Sequence, residues 1–199
     1  MIWNKMRPYL VKVKRFLLNR PHGLKKLGKD ALVVRPWRFQ GRSHVEIGSG
    51  SAIMPGCNIC AVDQYAGKSY DPSLSIGNSV YIGHYAFIAA LDSIVIGDGS
   101  ALSEHVYITD FFHGFEPDKG FIMEQDLVSK GPVKIGKNCF LGYRVAVMPN
   151  VTLGDWCVVG ANSVVTKSFP PYSMIAGSPA RLIKRYSVER RSWENASQS

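Results

Sequence analysis

Broken into sixes from Ile135, residues 135–166 read IGKNCF, LGYRVA, VMPNVT, LGDWCV, VGANSV and VT. The first place is always aliphatic: Ile135, Leu141, Val147, Leu153, Val159, Val165. The fifth place is small: Cys139, Val145, Val151, Cys157, Ser163. Gly follows the aliphatic at Gly136, Gly142, Gly154 and Gly160. A period of six matches neither the helical repeat nor strand alternation. It is the pattern of stacked repeats, each one short strand and one tight turn, that builds a parallel β-helix. The aliphatics are expected to point inward and stack on the same slot one coil away. The glycines are expected to supply turn angles that other residues resist.

Working outward, the same slots recur at Ile47, Ile53 and Ile59, then Ile76, Ile82 and Ile88, then Ile96, Leu102 and Ile108. Coils open at Val45, Leu74, Ile94, Val133 and Val151, each with aliphatic, any residue, aliphatic, Gly. Three rungs need eighteen residues, so the long separations after Val45 and Ile94 place two loops outside the prism. One lies near 61–73 and the other near 111–132. Long loops on a rigid scaffold tend to carry function. Residues 30–44 are transitional, with Arg35, Trp37 and Arg38 in a first irregular coil. The expected organisation is a basic amphipathic helical cap over 1–29, a β-helix domain over 30–184, and a C-terminal helix and tail over 185–199. Pro170 and Pro171 end the repeat, and a short basic helix is expected to run to about Trp193.

Charge separates the cap from the body. The net charge is +9, and residues 1–29 contain nine Lys and Arg and no acid. The remainder is balanced, which argues against a nucleic-acid-binding body and for a basic anchor. Met6, Leu10, Val13 and Leu17 have helical spacing, with Trp3 and Phe16 beside them. Such a helix could cap the open end of the solenoid or lie in a membrane interface. No run is long and apolar enough to span a bilayer, and no signal peptide is read, so the expected location is cytoplasmic, with peripheral contact on the inner face of the cytoplasmic membrane. Cys57 and Cys60 form a C-x-x-C. Cys57, Cys139 and Cys157 fall in the small fifth slot, and no second ligand pair follows at zinc spacing, so the cysteines read as small buried hydrophobes.

These hexapeptides resemble those of the left-handed β-helix acyltransferases over about Val45 to Lys184. The similarity extends to the O-antigen and capsule sugar O-acetyltransferases and the maltose and galactoside acetyltransferases. The left hand and a homotrimer with sites between subunits are what the resemblance implies, not what the spacing gives. Those enzymes carry an Asp-His-x-His motif where the second loop leaves the prism. Here it reads Asp110-Phe111-Phe112-His113. The last His is kept, so the resemblance makes His113 the general base, a role that suits imidazole near neutral pH. Asp110 would orient the ring or serve the acceptor; its alternative is a turn residue. Asp92 and His84 stand near acceptor-binding positions of the family, although the family has Asn at the turn that here reads Gly83-His84. Coenzyme A would lie between prisms on Gly142, Tyr143, Ala161, Thr166, Lys167, Arg181 and Lys184, with a Gly142–Tyr143 amide on the oxyanion. For the three cations alone, a solvated surface is the competing reading. His84, His105 and His113 do not have the spacing of a three-histidine zinc site, so no metal is expected in catalysis.

The function implied is acetyl-CoA-dependent O-acetylation of a sugar hydroxyl, in surface polysaccharide biosynthesis, on a saccharide acceptor carried by a lipid. The alternatives are N-acetylation of an amino sugar, acetylation of a xenobiotic, or a non-catalytic β-helical scaffold. The basic segment itself makes a prediction. Each Lys or Arg near an anionic surface contributes about 1 kcal/mol, so the full chain should co-sediment with anionic vesicles at low salt and less so at high salt. Deletion of residues 1–20 should abolish this. Failure of the intact protein to sediment with anionic vesicles would eliminate the membrane anchor.

Overall fold

Three parallel sheets wind around one axis in the computed structural model, which describes residues 23–196. The first face stacks Lys26–Leu27, Val45–Ile47, Ser73–Ile76, Ser93–Ile96, Val133–Ile135 and Thr152–Leu153. The second stacks Leu32–Val33, Ala52–Ile53, Tyr81–Ile82, Ala101–Leu102, Phe140–Leu141, Val158–Val159 and Ser173–Gly177. The third stacks Arg38–Gln40, Asn58–Ala61, Phe87–Ala90, Tyr107–Thr109, Ala146–Val147 and Val164–Val165. The chain visits the faces in rotation, so each circuit is one coil of a left-handed β-helix.

The register is that of the hexapeptide slots. On the third face Ile59, Ile88, Ile108, Val147 and Val165 are successive partners. On the first, Ile47, Ile76, Ile96, Ile135 and Leu153 are. All of these side chains are buried in a single core that fills the prism. Burying each aliphatic stabilises the fold by about 1.5–3 kcal/mol relative to exposure. The fifth-slot residues close the corners: Ser51 Oγ donates to the Gly77 carbonyl (2.7 Å), Ser100 Oγ to that of Gly136 (2.8 Å) and Cys57 Sγ to that of Gly83 (3.1 Å). Cys57 belongs to this inner core, whereas Cys60 lies in a second apolar cluster with Val62, Ala89, Leu91 and Leu127, under the loops.

Three expectations change. The repeat starts a coil earlier than Val45: Leu27, Val33 and Phe39 pair with Ile47, Ile53 and Ile59. Surrounding Lys and Arg residues hide that six-residue spacing in the sequence. The cap expected over 1–29 therefore gives way to the first coil by Lys26–Leu27, while the helix expected before Pro21, and the membrane contact assigned to 1–20, lie outside the described residues. The C-terminal helix is instead an antiparallel hairpin, Ala180–Ser187 and Ser192–Asn195, added to the Ser173–Gly177 strand. That strand ends the second face and leaves backbone groups to be satisfied. Pairing with Ala180–Ser187 satisfies them, and Leu182 packs onto the core. Tyr186 meets Trp193 edge-on across the hairpin (5.4 Å).

The third change concerns glycine. Gly48, Gly77, Gly97, Gly136 and Gly154 turn from the first face to the second, and none has a positive φ. The left-handed residue comes two places later, as at Ser79 (φ 54°) and Asn138 (φ 54°). Glycine is required by proximity: a Cβ on Gly97 would lie 2.6 Å from the Gly136 carbonyl carbon. Overpacking of this kind costs about 1–3 kcal/mol, so Gly97→Ala should lower the Tm by several degrees. An unchanged melt would show that the coils are not held this closely.

Candidate active site

Both predicted loops leave the prism at the corner between the third and first faces, from the second and fourth coils. The first, after Ala61, is a hairpin of Gln64–Tyr65 and Lys68–Ser69, turned by Ala66 (φ 46°) and Gly67 (φ 79°). The second pairs Phe111–His113 with Leu127–Ser129, His113 opposite Leu127. Gln125 is buried and staples the segment between these strands. Its side chain donates to the Glu116 and Gly120 carbonyls (2.9 and 3.1 Å) and accepts from the Glu116 amide (3.0 Å). The two hairpins then clasp each other. The Lys68 ammonium pairs with Asp126, and the Tyr65 hydroxyl donates to the Met123 carbonyl (2.7 Å).

Between the hairpins and the outer surface of the third face lies a cavity of about 310 Å³. Cys60, Val62, Ala89, Phe111 and Leu127 give it apolar surface; Arg38, Gln40, Gln64, Tyr65, Thr109 and His113 give it polar groups. Phe87 and Tyr107, register partners on adjacent coils, form a stacked pair in its wall (5.1 Å, 14°). His113 is therefore a half-buried imidazole on a half-open site of mixed polar and apolar lining. Such a site can hold a polar acceptor beside an imidazole.

Asp110 does not join it. Its carboxylate is fully buried at the corner and accepts from the Leu91 amide (2.8 Å) and the Asp92 amide (3.0 Å), with no hydrogen bond to His113. This corrects the expectation that it orients the imidazole: Asp110 ties the root of the second hairpin to the coil beneath. Asp92 is exposed at that root, 3.4 Å from Ser129 Oγ. His84 sits on the opposite edge of the third face, at the corner with the second. There its carbonyl accepts from His105 N (2.9 Å), and Tyr85, His105 and Tyr143 form an aromatic ladder (5.2 and 5.5 Å). Gly142, Tyr143 and Ala161 continue that corner on later coils, Asn162 N donating to the Tyr143 carbonyl (2.8 Å). Arg181, opposite Ala176, reaches the end of the same corner. Thr166 and Lys167 lie instead on the His113 side, two coils on, with the Lys167 ammonium over Phe169 (5.6 Å). Lys184, opposite Met174, is farther along the second face.

Residues 132–167 match the family model described as the hexapeptide repeat of succinyl-transferase. The chain therefore carries hexapeptide repeats in this stretch. It is 37% identical over 125 residues to the putative lipopolysaccharide biosynthesis O-acetyl transferase WbbJ of Escherichia coli K12, covering 60% of this chain and 64% of WbbJ. It is 30% identical over 192 residues to the probable acetyltransferase Rv3034c of Mycobacterium tuberculosis, covering 94% of this chain and 59% of that protein. The hexapeptide-repeat chain thus spans somewhat less than two thirds of the length of these two relatives. Among solved structures, its fold is similar to that of AntD, an N-acyltransferase from Bacillus cereus in complex with dTDP and 3-hydroxybutyryl-CoA. The TM-score is 0.69 at 20% identity, over 91% of this chain and 90% of that one.

The periodicity of the hexapeptide-repeat chain gave no sign of Tyr65, Gln125 or Arg38, because the first two lie in the loops and the third in the irregular first coil. The Phe87–Tyr107 pair had a signal: each directly precedes an inward Ile one coil apart. Asp110 makes a prediction through its protonation. Burial pushes its carboxyl up, the Leu91 and Asp92 amides pull it down, and the charge of Asp92 adds to the rise. A group that holds its proton more tightly when folded stabilises the protein below its ordinary pKa and loses that contribution as pH rises through the raised value. The stability of wild type minus that of Asp110→Asn, from urea unfolding, should therefore fall as pH rises above about 4, the ordinary carboxyl value. A difference that is flat or rises with pH would contradict the desolvated carboxyl.

Proposed function

We propose that the protein is a coenzyme-A-dependent O-acyltransferase, carrying acetyl from acetyl-CoA to a sugar hydroxyl, with His113 as general base. The observation that carries this reading is His113 on the 310 Å³ cavity at the root of the second hairpin, in a chain similar to the O-acetyl transferase WbbJ. His113 removes the hydroxyl proton as the oxygen bonds to the thioester carbonyl carbon. The carbon–sulfur bond then breaks, and the proton passes from the imidazole to the departing thiolate. A corner amide at Gly142 or Tyr143 holds the carbonyl oxygen while it is negative. Arg181, near the same corner, and Lys167 bind donor phosphates. No residue of this chain is assigned a metal in this scheme.

The two halves of the site favour a homotrimer. Within one prism, Tyr143 and Met148 bound the third face, and five extended residues span roughly 17 Å. His113 and the donor corner stand at opposite edges of that face, far beyond bonding distance. A neighbouring subunit that sets its own Gly142–Tyr143 corner against the His113 cavity removes the gap. We assign the saccharide acceptor to surface polysaccharide biosynthesis, by analogy with WbbJ, a putative lipopolysaccharide biosynthesis O-acetyl transferase. A cytoplasmic enzyme touching the inner membrane face through its basic N-terminus suits an acceptor carried on lipid. N-acylation of an amino sugar is the second reading, favoured by the likeness to the N-acyltransferase AntD over nine tenths of both chains.

Purified enzyme with acetyl-CoA and matched hydroxyl and amine sugars separates these readings by which acceptor releases free thiol. His113→Ala should lose roughly 10²–10⁴-fold in kcat without a change in Tm or oligomeric state. Near-wild-type turnover would remove His113 as the base. The double substitution Lys167→Ala and Arg181→Ala should raise the KM for acetyl-CoA more than it lowers kcat, because phosphate contacts are largely uniform binding. An unchanged donor KM would remove both from the site.

A further inference from the structure

We infer that Tyr65, from the first hairpin, is a positioning residue that fixes the tautomer of His113, on the second hairpin. The inference rests on His113 being the base. A neutral imidazole has one proton and two nitrogens, and only the unprotonated nitrogen can accept a proton. The neighbour of Nδ1 therefore decides which nitrogen is basic.

That neighbour is the Tyr65 hydroxyl, 3.4 Å from His113 Nδ1. The rings meet edge to face, with centroids 5.3 Å apart at 74°. The hydroxyl has a single hydrogen, and the Met123 carbonyl, 2.7 Å away, can only accept it. Towards His113 the Tyr65 oxygen can then offer only a lone pair. Nδ1 must carry the proton, and Nε2 is left with the lone pair that takes a proton from the acceptor. Among the described residues none is hydrogen-bonded to Nε2. The 3.4 Å separation is long for a hydrogen bond in a site without its substrates, and such contacts shorten when the site fills.

This gives the two hairpins a joint purpose. Asp110, the residue expected to orient the ring, is committed to the coil amides of Leu91 and Asp92. Tyr65 takes the orienting role from the other loop. Its proton goes to a carbonyl of the same segment that carries His113, so acceptor and imidazole are held by one loop. The Lys68–Asp126 pair clasps the same two hairpins without touching the ring.

The test is nitrogen-15 NMR on histidine-labelled full-length protein, at a pH where the ring is neutral, with His113→Ala assigning its signals among the five histidines. Wild type should show His113 protonated on Nδ1. Tyr65→Phe, which keeps the ring and deletes the hydroxyl, should convert it to a mixture or to the Nε2–H form. The same variant should lose about 5- to 10-fold in kcat, the kinetic equivalent of one ordinary hydrogen bond, with both KM values nearly unchanged. Lys68→Ala loosens the clasp elsewhere and should leave both tautomer and kcat close to wild type. An Nε2–H imidazole in wild type, an unchanged tautomer in Tyr65→Phe, or the same losses in Lys68→Ala would each overturn the inference. The tautomer is read without turnover, so a failed acyl-transfer reading would show separately, as an active His113→Ala enzyme.

Discussion

Everything in this molecule depends on the hydrogen-bonded stacking of one coil on the next. Each short strand is only two to four residues over most of the prism, too little to stand alone. Stability comes from repetition: the same slot, in register, on every coil, with an aliphatic inside and backbone bonds along the axis. Close stacking also explains the glycines at the corner between the first and second faces. Neighbouring coils there approach so nearly that a single Cβ would strike the backbone of the next circuit. The side chains that follow those glycines tie adjacent coils, Asp98 accepting from the Asn78 amide (2.7 Å) and Asp155 from that of Lys137 (2.8 Å).

A scaffold this regular can be interrupted without cost to its register only where the chain leaves and re-enters at the same corner. Both hairpins do so between the third and first faces. The coil between their two origins passes that corner without a loop, at Leu91 and Asp92, and Asp110 reaches back to bind both amides. The hairpins thus arch over one intact coil, and the cavity is the space left beneath them. A loop inserted at another corner would not have met its partner. The outer surface of the third face then becomes a wall of the site, with Phe87 and Tyr107 stacked by the same register that stacks Ile88 on Ile108.

The far end shows the same constraint acting on local preference. Arg190 and Glu194 stand four apart, a spacing that would support a helix. In the fold the pair closes the turn of a hairpin instead, with Arg190 N on Ser187 Oγ (3.2 Å). The unpaired edge of the last strand of the second face outweighs a few tenths of a kcal/mol of helical pairing.

The sequence alone determined the prism. Its rungs from Ile47 to Val165 and the position of both loops follow from a six-residue period and from where that period breaks, while the choice of His113 came from the resemblance of Asp110-Phe111-Phe112-His113 to a family motif. Hydrophobic burial repeats once per strand, so its signal is written locally in every hexapeptide. What tertiary structure decided is everything whose partner lies on another coil or in another loop. The first coil at Leu27, Val33 and Phe39 was hidden among charges because only its pairing with the next coil makes it a coil. Asp110 turned to the amides of a different circuit, and Tyr65 came to His113 from 48 residues away. The C-terminal segment became a strand because an edge was waiting for it. Such contacts have no period in the chain, and a hydroxyl that aims an imidazole is set by distances that exist only once the coils are stacked.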